Sequence, residues 1–197
     1  MVKLKTAVFL LSILITTQLW SSVTAKRPGA PNKATDVEVT MLILDIDNID
    51  TRNQSFSANI YFEFRWHDPA LIHRSPYIIH KPINRIWHPQ LQIVNRQLIW
   101  RTFPEEVEIT PKGEVTYRQR VWGGFSQALD LRKFPFDTQK FNIIIASPRY
   151  TNNQVNFKVS QEAPSDIART LSLPDWDIIK WEFKPKSFLL SDKVGSS

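Results

Sequence analysis

The stretch Ser55–Trp66, SFSANIYFEFRW, leaves little freedom of fold. Phe56, Ala58, Ile60, Phe62, Phe64 and Trp66 alternate strictly with Ser55, Ser57, Asn59, Tyr61, Glu63 and Arg65. A helix would scatter the apolar set around its circumference, whereas a period of two places all six on one face of a strand. Such a strand needs hydrogen-bonded neighbours and an apolar layer over its inner face. The chain supplies both. Val37, Val39, Met41 and Ile43 alternate in the same way, and 86–94, 100–109, 114–121, 141–146, 154–159 and 176–183 also read as strands. Pro, Gly, Asn and Asp separate them, with TPKG at 110–113 as a hairpin turn. Only 165–171, entered through Pro164 and Ser165, reads as helical. The expected fold is all-β, an immunoglobulin-like antiparallel β-sandwich of about nine strands with one short helical stretch.

The 197 residues suffice for one domain with a substantial core. Ahead of it, Lys3 and Lys5 precede an apolar run from Ala7 to Ile15, and Val23-Thr24-Ala25 offers a small-residue cleavage site. This reads as a secretory signal over 1–25, too short for a membrane span. Residues 26–35, with Pro28, Gly29 and Pro31, read as a flexible leader, 36–183 as the sandwich, and 184–197 as a tail. Removing the signal lowers the net charge of +6, and the remaining basic residues form no stripe, which argues against nucleic acid. Absence of cysteine in an exported chain favours a bacterial, periplasmic setting.

Enzyme chemistry finds no foothold. His67, His73, His80 and His88 crowd one region without metal-ligand spacing and read as loop residues, able to confer pH sensitivity where partly buried. Asp45, Asp47 and Asp50 lack the glycine and the distal Glu of a calcium loop. No nucleophile motif occurs. Neither a cofactor nor a metal is expected. Trp66, Trp87, Trp122 and Trp176 read as core and interface packing.

One segment, LRKFPFDTQKF, resists this ordinary account. Pro135 between Phe134 and Phe136 cannot sit inside a strand. Its apex either tucks beneath its own domain or presses against a partner. DLRKFPFDTQKF resembles the signature loop of the pentameric ligand-gated ion channels, the Cys-loop receptor superfamily. By the family's offset, Gln127 and Phe141 stand at the two cysteine positions, both vacant of cysteine as in bacterial members. Further landmarks fall in family order: IDTRNQSF at 49–56, WHD at 66–68, IWHPQLQIVN at 86–95 and PDWDI at 174–178. The resemblance spans roughly 36–183.

The resemblance implies an extracellular ligand-binding domain. Phe134, Pro135, Phe136 and Asp137, beside Asp50, would form the loop that couples it to a membrane pore domain. Trp66, Asp68, Trp87, Pro89 and Trp176 would be structural landmarks. The family's ligand lies between adjacent subunits of a pentamer, here a homo-pentamer. Tyr61, Thr116 and Arg118 would contribute one side of that site, and Val94, Pro148 and Tyr150 the other. Val94 and Pro148 stand where aromatic residues of an amine-binding cage are expected. Arg118 would repel a cation, so an anionic or neutral ligand fits better. Tyr61 reads equally as an ordinary surface tyrosine. A glycan at the sequon Asn53-Gln54-Ser55 would obstruct the coupling face.

The family continues into a tenth strand and four transmembrane helices, whereas KPKSFLLSDKVGSS closes this sequence. Two functions follow as expectations. One is the sensor domain of a neurotransmitter-gated-type channel, present without its pore, for an unknown small molecule. The other is a free-standing periplasmic binding module that meets a protein or envelope partner through an exposed sheet edge.

Overall fold

The computed structural model describes residues 25–29, 32–130, 132, 138–173 and 176–184. Among the described residues ten strands run in chain order: β1 (Thr35–Asp50), β2 (Ser55–His67), β3 (Ile79–Pro82), β4 (Gln92–Ile93), β5 (Arg96–Arg101), β6 (Glu106–Ile109), β7 (Glu114–Ser126), β8 (Ile145–Ala146), β9 (Val155–Val159) and β10 (Asp166–Ile167). The fold is all-β. Eight strands form one sheet, while β4 and β8 pair separately in the opposing layer.

The period-two stretch becomes β2, which pairs with β1 on one side and β7 on the other. Its apolar set is buried without exception, and Val115, Tyr117, Val121 and Phe125 extend the same face along β7. Ile86, Trp87 and Pro89 cover this face, with Phe141, Ile143 and Ile145 packed against it. Two ring contacts bind the layers: Phe56–Phe141 at 5.1 Å and Trp66–Trp87, edge to face, at 6.0 Å.

The TPKG turn is present. Gly113 N–H donates to Thr110 O at 2.9 Å, and Gly113 has φ +80°. A Cβ there would lie 2.6 Å from the Asp68 carbonyl oxygen, so the turn requires glycine. Asp68 itself is buried and accepts the Ala70 N–H at 3.0 Å, capping a short 3₁₀ turn after β2.

Several expectations need correction. Residues 165–171 are not helical: Ser165 Oγ accepts the Met41 N–H at 3.0 Å, and β10 pairs parallel with Leu42 and Ile43 of β1. Ser165 thus serves a sheet edge rather than a helix entry. Strand β9 also runs parallel to β1, so the sheet is mixed rather than wholly antiparallel. Residues 86–94 are mostly loop, because Pro89 interrupts the ladder and Gln90 takes φ +54°; only β4 survives there. The expected strand 100–109 is two strands broken around Pro104, both paired to β7. The expected strand 141–146 shortens to β8, and residues 176–183, also expected as a strand, enter no ladder. Strand β3 carries no strong alternation and was not expected. Trp122 is exposed rather than core: it stacks on Trp100 at 5.0 Å and donates Nε1–H to Asp47 at 3.0 Å.

Candidate ligand site

The polar face of β2 and β7 carries the first half of the expected site. The register sets Tyr61 opposite Arg120, Glu63 opposite Arg118 and Arg65 opposite Thr116, so these side chains share the outer face. Glu63 is the centre. It accepts from Tyr61 Oη at 3.0 Å and Arg118 Nε at 2.7 Å, and lies 3.2 Å from Arg65 Nε. Arg118 reaches a second carboxylate, Glu108 on β6, at 2.5 Å. Burial opposes its charge, but hydrogen bonds to Glu108 and Glu63 hold its guanidinium above the usual arginine range. Partial burial, with the Glu63 charge beside it, pushes the Tyr61 phenol up. Phe103 meets the Tyr61 ring edge to face at 6.3 Å.

This arrangement revises the expectation about Arg118. Two carboxylates match its charge, so its presence alone does not select against a cation. Glu63, Glu108 and Phe103 were missed as site residues. Glu63 was legible as an outward position of β2, but its role depends on cross-strand register, which the sequence does not display.

The second half lies elsewhere. Val94 and Pro148 line a crevice of about 290 Å³ beside the β4–β8 pair, with Gln92, Ile93, Arg96 and Ala146. Tyr150 is not on its wall. Its hydroxyl accepts from Trp87 Nε1 at 2.9 Å with the rings 5.7 Å apart, which ties it to the packing around Trp87. Among the described residues no hydrogen bond, ion pair or ring contact joins Tyr61, Thr116 or Arg118 to Val94 or Pro148. The two groups belong to opposite layers of one chain.

Beneath the outer face, Gln119 is buried and satisfied. Its Oε1 accepts the Phe103 N–H at 2.9 Å and its Nε2 donates to Phe103 O at 3.1 Å. Tyr117 Oη donates to Glu105 at 2.9 Å, and burial pushes this phenol up to about 12. Gln119 and Tyr117 border a cavity of about 50 Å³ between the layers, room for one or two water molecules.

Phe134, Pro135, Phe136 and Asp137 lie outside the described residues. The base of their loop is described and is closed by amides. Gln127 Oε1 accepts both N–H and Nδ2–H of Asn142, at 3.1 and 3.0 Å. Gln139 and Asp130 exchange two further bonds, at 3.1 and 2.7 Å, and Gln54 accepts the Leu129 N–H at 2.5 Å. Asn95 holds Asn142 O at 2.7 Å, Ser126 O at 3.1 Å and the Ile144 N–H at 3.0 Å. The polar closure stands beside the positions where the family resemblance sets a disulfide. Asp50 shapes the neighbouring β1–β2 turn by accepting from Asn53 N–H at 2.9 Å and Nδ2 at 2.7 Å, bonds that hold its carboxyl below the usual range. Trp176 packs edge to face on Phe141 at 5.9 Å.

Among the described residues no group of three His, Asp or Glu side chains is placed to hold a metal ion. Asp45 instead accepts both N–H and Oγ–H of Ser172 at 2.8 Å. Among them, too, no helix is long and apolar enough to cross a membrane.

The profile of the neurotransmitter-gated ion-channel ligand binding domain matches residues 15–188. Similar proteins include the neuronal acetylcholine receptor subunit alpha-9-II of Oncorhynchus mykiss, 26% identical over 153 residues, covering 74% of this chain and 28% of that one. An acetylcholine-gated chloride channel subunit of Caenorhabditis elegans is 24% identical, with 77% of this chain and 35% of that one covered. A proton-gated ion channel of Gloeobacter violaceus is 24% identical over 178 residues, covering 86% of this chain and 48% of its own. The chain thus spans between about a quarter and a half of the length of these relatives.

Proposed function

Since the chain belongs to the neurotransmitter-gated ion-channel ligand-binding domain family, we propose that it is the ligand-sensing domain of a pentameric channel, exported through the signal at 1–25 and acting outside the cytoplasm. Its work is binding and the transmission of binding, not bond chemistry. The relatives described above are a receptor subunit, a chloride channel subunit and an ion channel.

One observation carries the reading. Tyr61, Thr116 and Arg118 sit on the outer face of the eight-stranded sheet, while Val94 and Pro148 line a crevice of the other layer. A ligand that touches both groups needs two copies of the chain, one offering each face. A ring of five identical copies repeats that junction without leaving an open end, as closed symmetry requires. Residues 134–137, together with Asp50, then serve as the coupling element, and the amide-closed base of their loop passes on motion from the ligand face.

Native mass spectrometry of the full chain tests this. Masses of five copies are expected, weakened by replacing Tyr61 and Glu63 together. A chain that remains monomeric at tens of micromolar would overturn the reading.

A further inference from the structure

Trp100 on β5 and Trp122 on β7 are register partners across the ladder, and their rings stack at 5.0 Å and 27° on the outer face of the sheet. Both indoles stand about half exposed, at 51% and 43%, with Leu98 two residues along β5 at 63%. Aromatic side chains of this size ordinarily give such area to a core or to something bound. Trp122 is held in place, because its Nε1–H donates to Asp47 Oδ2 at 3.0 Å. Asn59 is the register partner of Trp122 on β2, and its Oδ1 accepts from Arg120 Nε at 2.9 Å. Among the described residues no other hydrogen bond or ion pair engages the side chains of Asp47, Asn59 or Arg120. An acceptor at Asp47 Oδ1 and donors at Asn59 Nδ2 and the terminal nitrogens of Arg120 are therefore unused. Gly124, two residues beyond Trp122, has no side chain to fill the adjoining surface, and the Gln97 amide lies 3.4 Å from where a Cβ would stand.

Size, charge and polarity together select the occupant. Half-exposed indoles present on the order of 100 Å² each, against the roughly 800 Å² that each partner covers in a stable protein interface. The rim sets Asp47 against Arg120, so its charge balances and complements a neutral molecule rather than an ion. Its free groups mix donors with an acceptor around a flat apolar surface. We propose that Trp100 and Trp122 form a platform for one ring of a neutral pyranose sugar. A face of such a ring carries only C–H groups and lies on an indole. Hydroxyls at its edge donate to Asp47 Oδ1 and accept from Asn59 Nδ2 and Arg120. Because the indoles stack on one another, they offer one open ring face rather than a row of faces, which fits a single free sugar rather than a polymer. The platform shares no residue with the crevice lined by Val94 and Pro148. The inference goes beyond the ligand-sensing reading and does not rest on it.

Methyl β-glucopyranoside, cellopentaose, glucitol and tetramethylammonium are each titrated into the full chain, followed by saturation-transfer NMR and tryptophan fluorescence. The glucoside is expected to bind saturably, with transfer to its ring protons and a change in indole emission. Glucitol, which keeps the hydroxyls but has no ring, should bind at least tenfold more weakly. Cellopentaose should bind within about threefold of the glucoside; binding of cellopentaose alone would assign the surface to a polymer and overturn the single-sugar inference. Trp100→Ala, and independently Asp47→Ala, should each weaken the glucoside at least fivefold with unchanged circular dichroism; if one variant misfolds, the other decides. Equal binding of glucitol, binding of tetramethylammonium in place of the glucoside, or glucoside binding unchanged in the folded variants overturns the inference. A parent chain indifferent to the glucoside that loses its assembly in Trp100→Ala gives the platform to a second copy instead. A monomer that binds the glucoside overturns the pentamer reading alone.

Discussion

Single residues set some of the sharpest constraints. Gly123 on β7 has φ +151°, and a Cβ there would lie 2.1 Å from Leu98 O and 2.8 Å from Ile99 Cα. Both are backbone atoms of β5, at the register shift between Arg96 and Ile99. Neither can turn aside, so Gly123→Ala should cost about 1–3 kcal/mol or more, read as a lower urea midpoint. Trp66 is 2% exposed, and Trp66→Ala should cost ~3–5 kcal/mol in the same assay. Glu63 is different in kind. Its carboxylate serves Tyr61, Arg65 and Arg118 at once, and its side chain is only 14% exposed. Glu63→Gln keeps the shape but leaves guanidinium donors under-matched, a loss of about 1–3 kcal/mol. Full stability in that variant would show the network to be surface decoration.

At the scale of elements, the base of the loop that carries residues 134–137 is closed by neutral groups. Gln54, Gln127, Gln139, Asn95 and Asn142 hold its base, and none of them titrates. Exchange of the Leu129 and Asn142 amide protons should therefore stay slow between pH 5 and 8 once intrinsic rates are corrected, and added thiol should not change it. Gln127→Ala should speed exchange at Asn142 and destabilise the domain by about 1–3 kcal/mol. Unaltered exchange in that variant would mean that the Asn95 bonds alone close the loop. The elements also show where sequence reading works. Strand β2 was legible because six apolar residues alternate without a break. Strand β10 was not, because two residues carry no period; their pairing to Leu42 and Ile43 arises from the Ser165 and Ala168 bonds to β1. Residues 86–94 misled through composition, since apolar residues around a proline pack a core as readily as they form a ladder.

For the whole molecule, a pH dependence of stability is expected from the half-buried His88. Burial depresses His88, whose ring bonds to Gln90 Nε2 at 2.9 Å, below the ordinary histidine value. Arg149 adds to the depression and Glu105 opposes it. The folded form favours the neutral ring, so the unfolded chain takes up the proton first. Stability from this group is complete above about pH 6.5 and declines as pH falls toward the lower folded value. The melting temperature should drop between pH 7.5 and 5.5, and His88→Gln should reduce the drop. An equal drop in the variant would assign acid sensitivity to other groups.

The sequence by itself determined the all-β class, the buried face of β2, the Thr110–Gly113 turn and the family resemblance. Each is written in local spacing, where alternation, a glycine in a left-handed turn or an ordered string of motifs is read within a dozen residues. Only the tertiary structure decided that Glu63 and Glu108 neutralise Arg118, that Tyr150 turns to Trp87, and that Trp100 and Trp122 stack on an open sheet face. These depend on strand register and on how two layers meet. Register sets which charges face each other across the ladder, and no single strand's sequence contains its partner's phase.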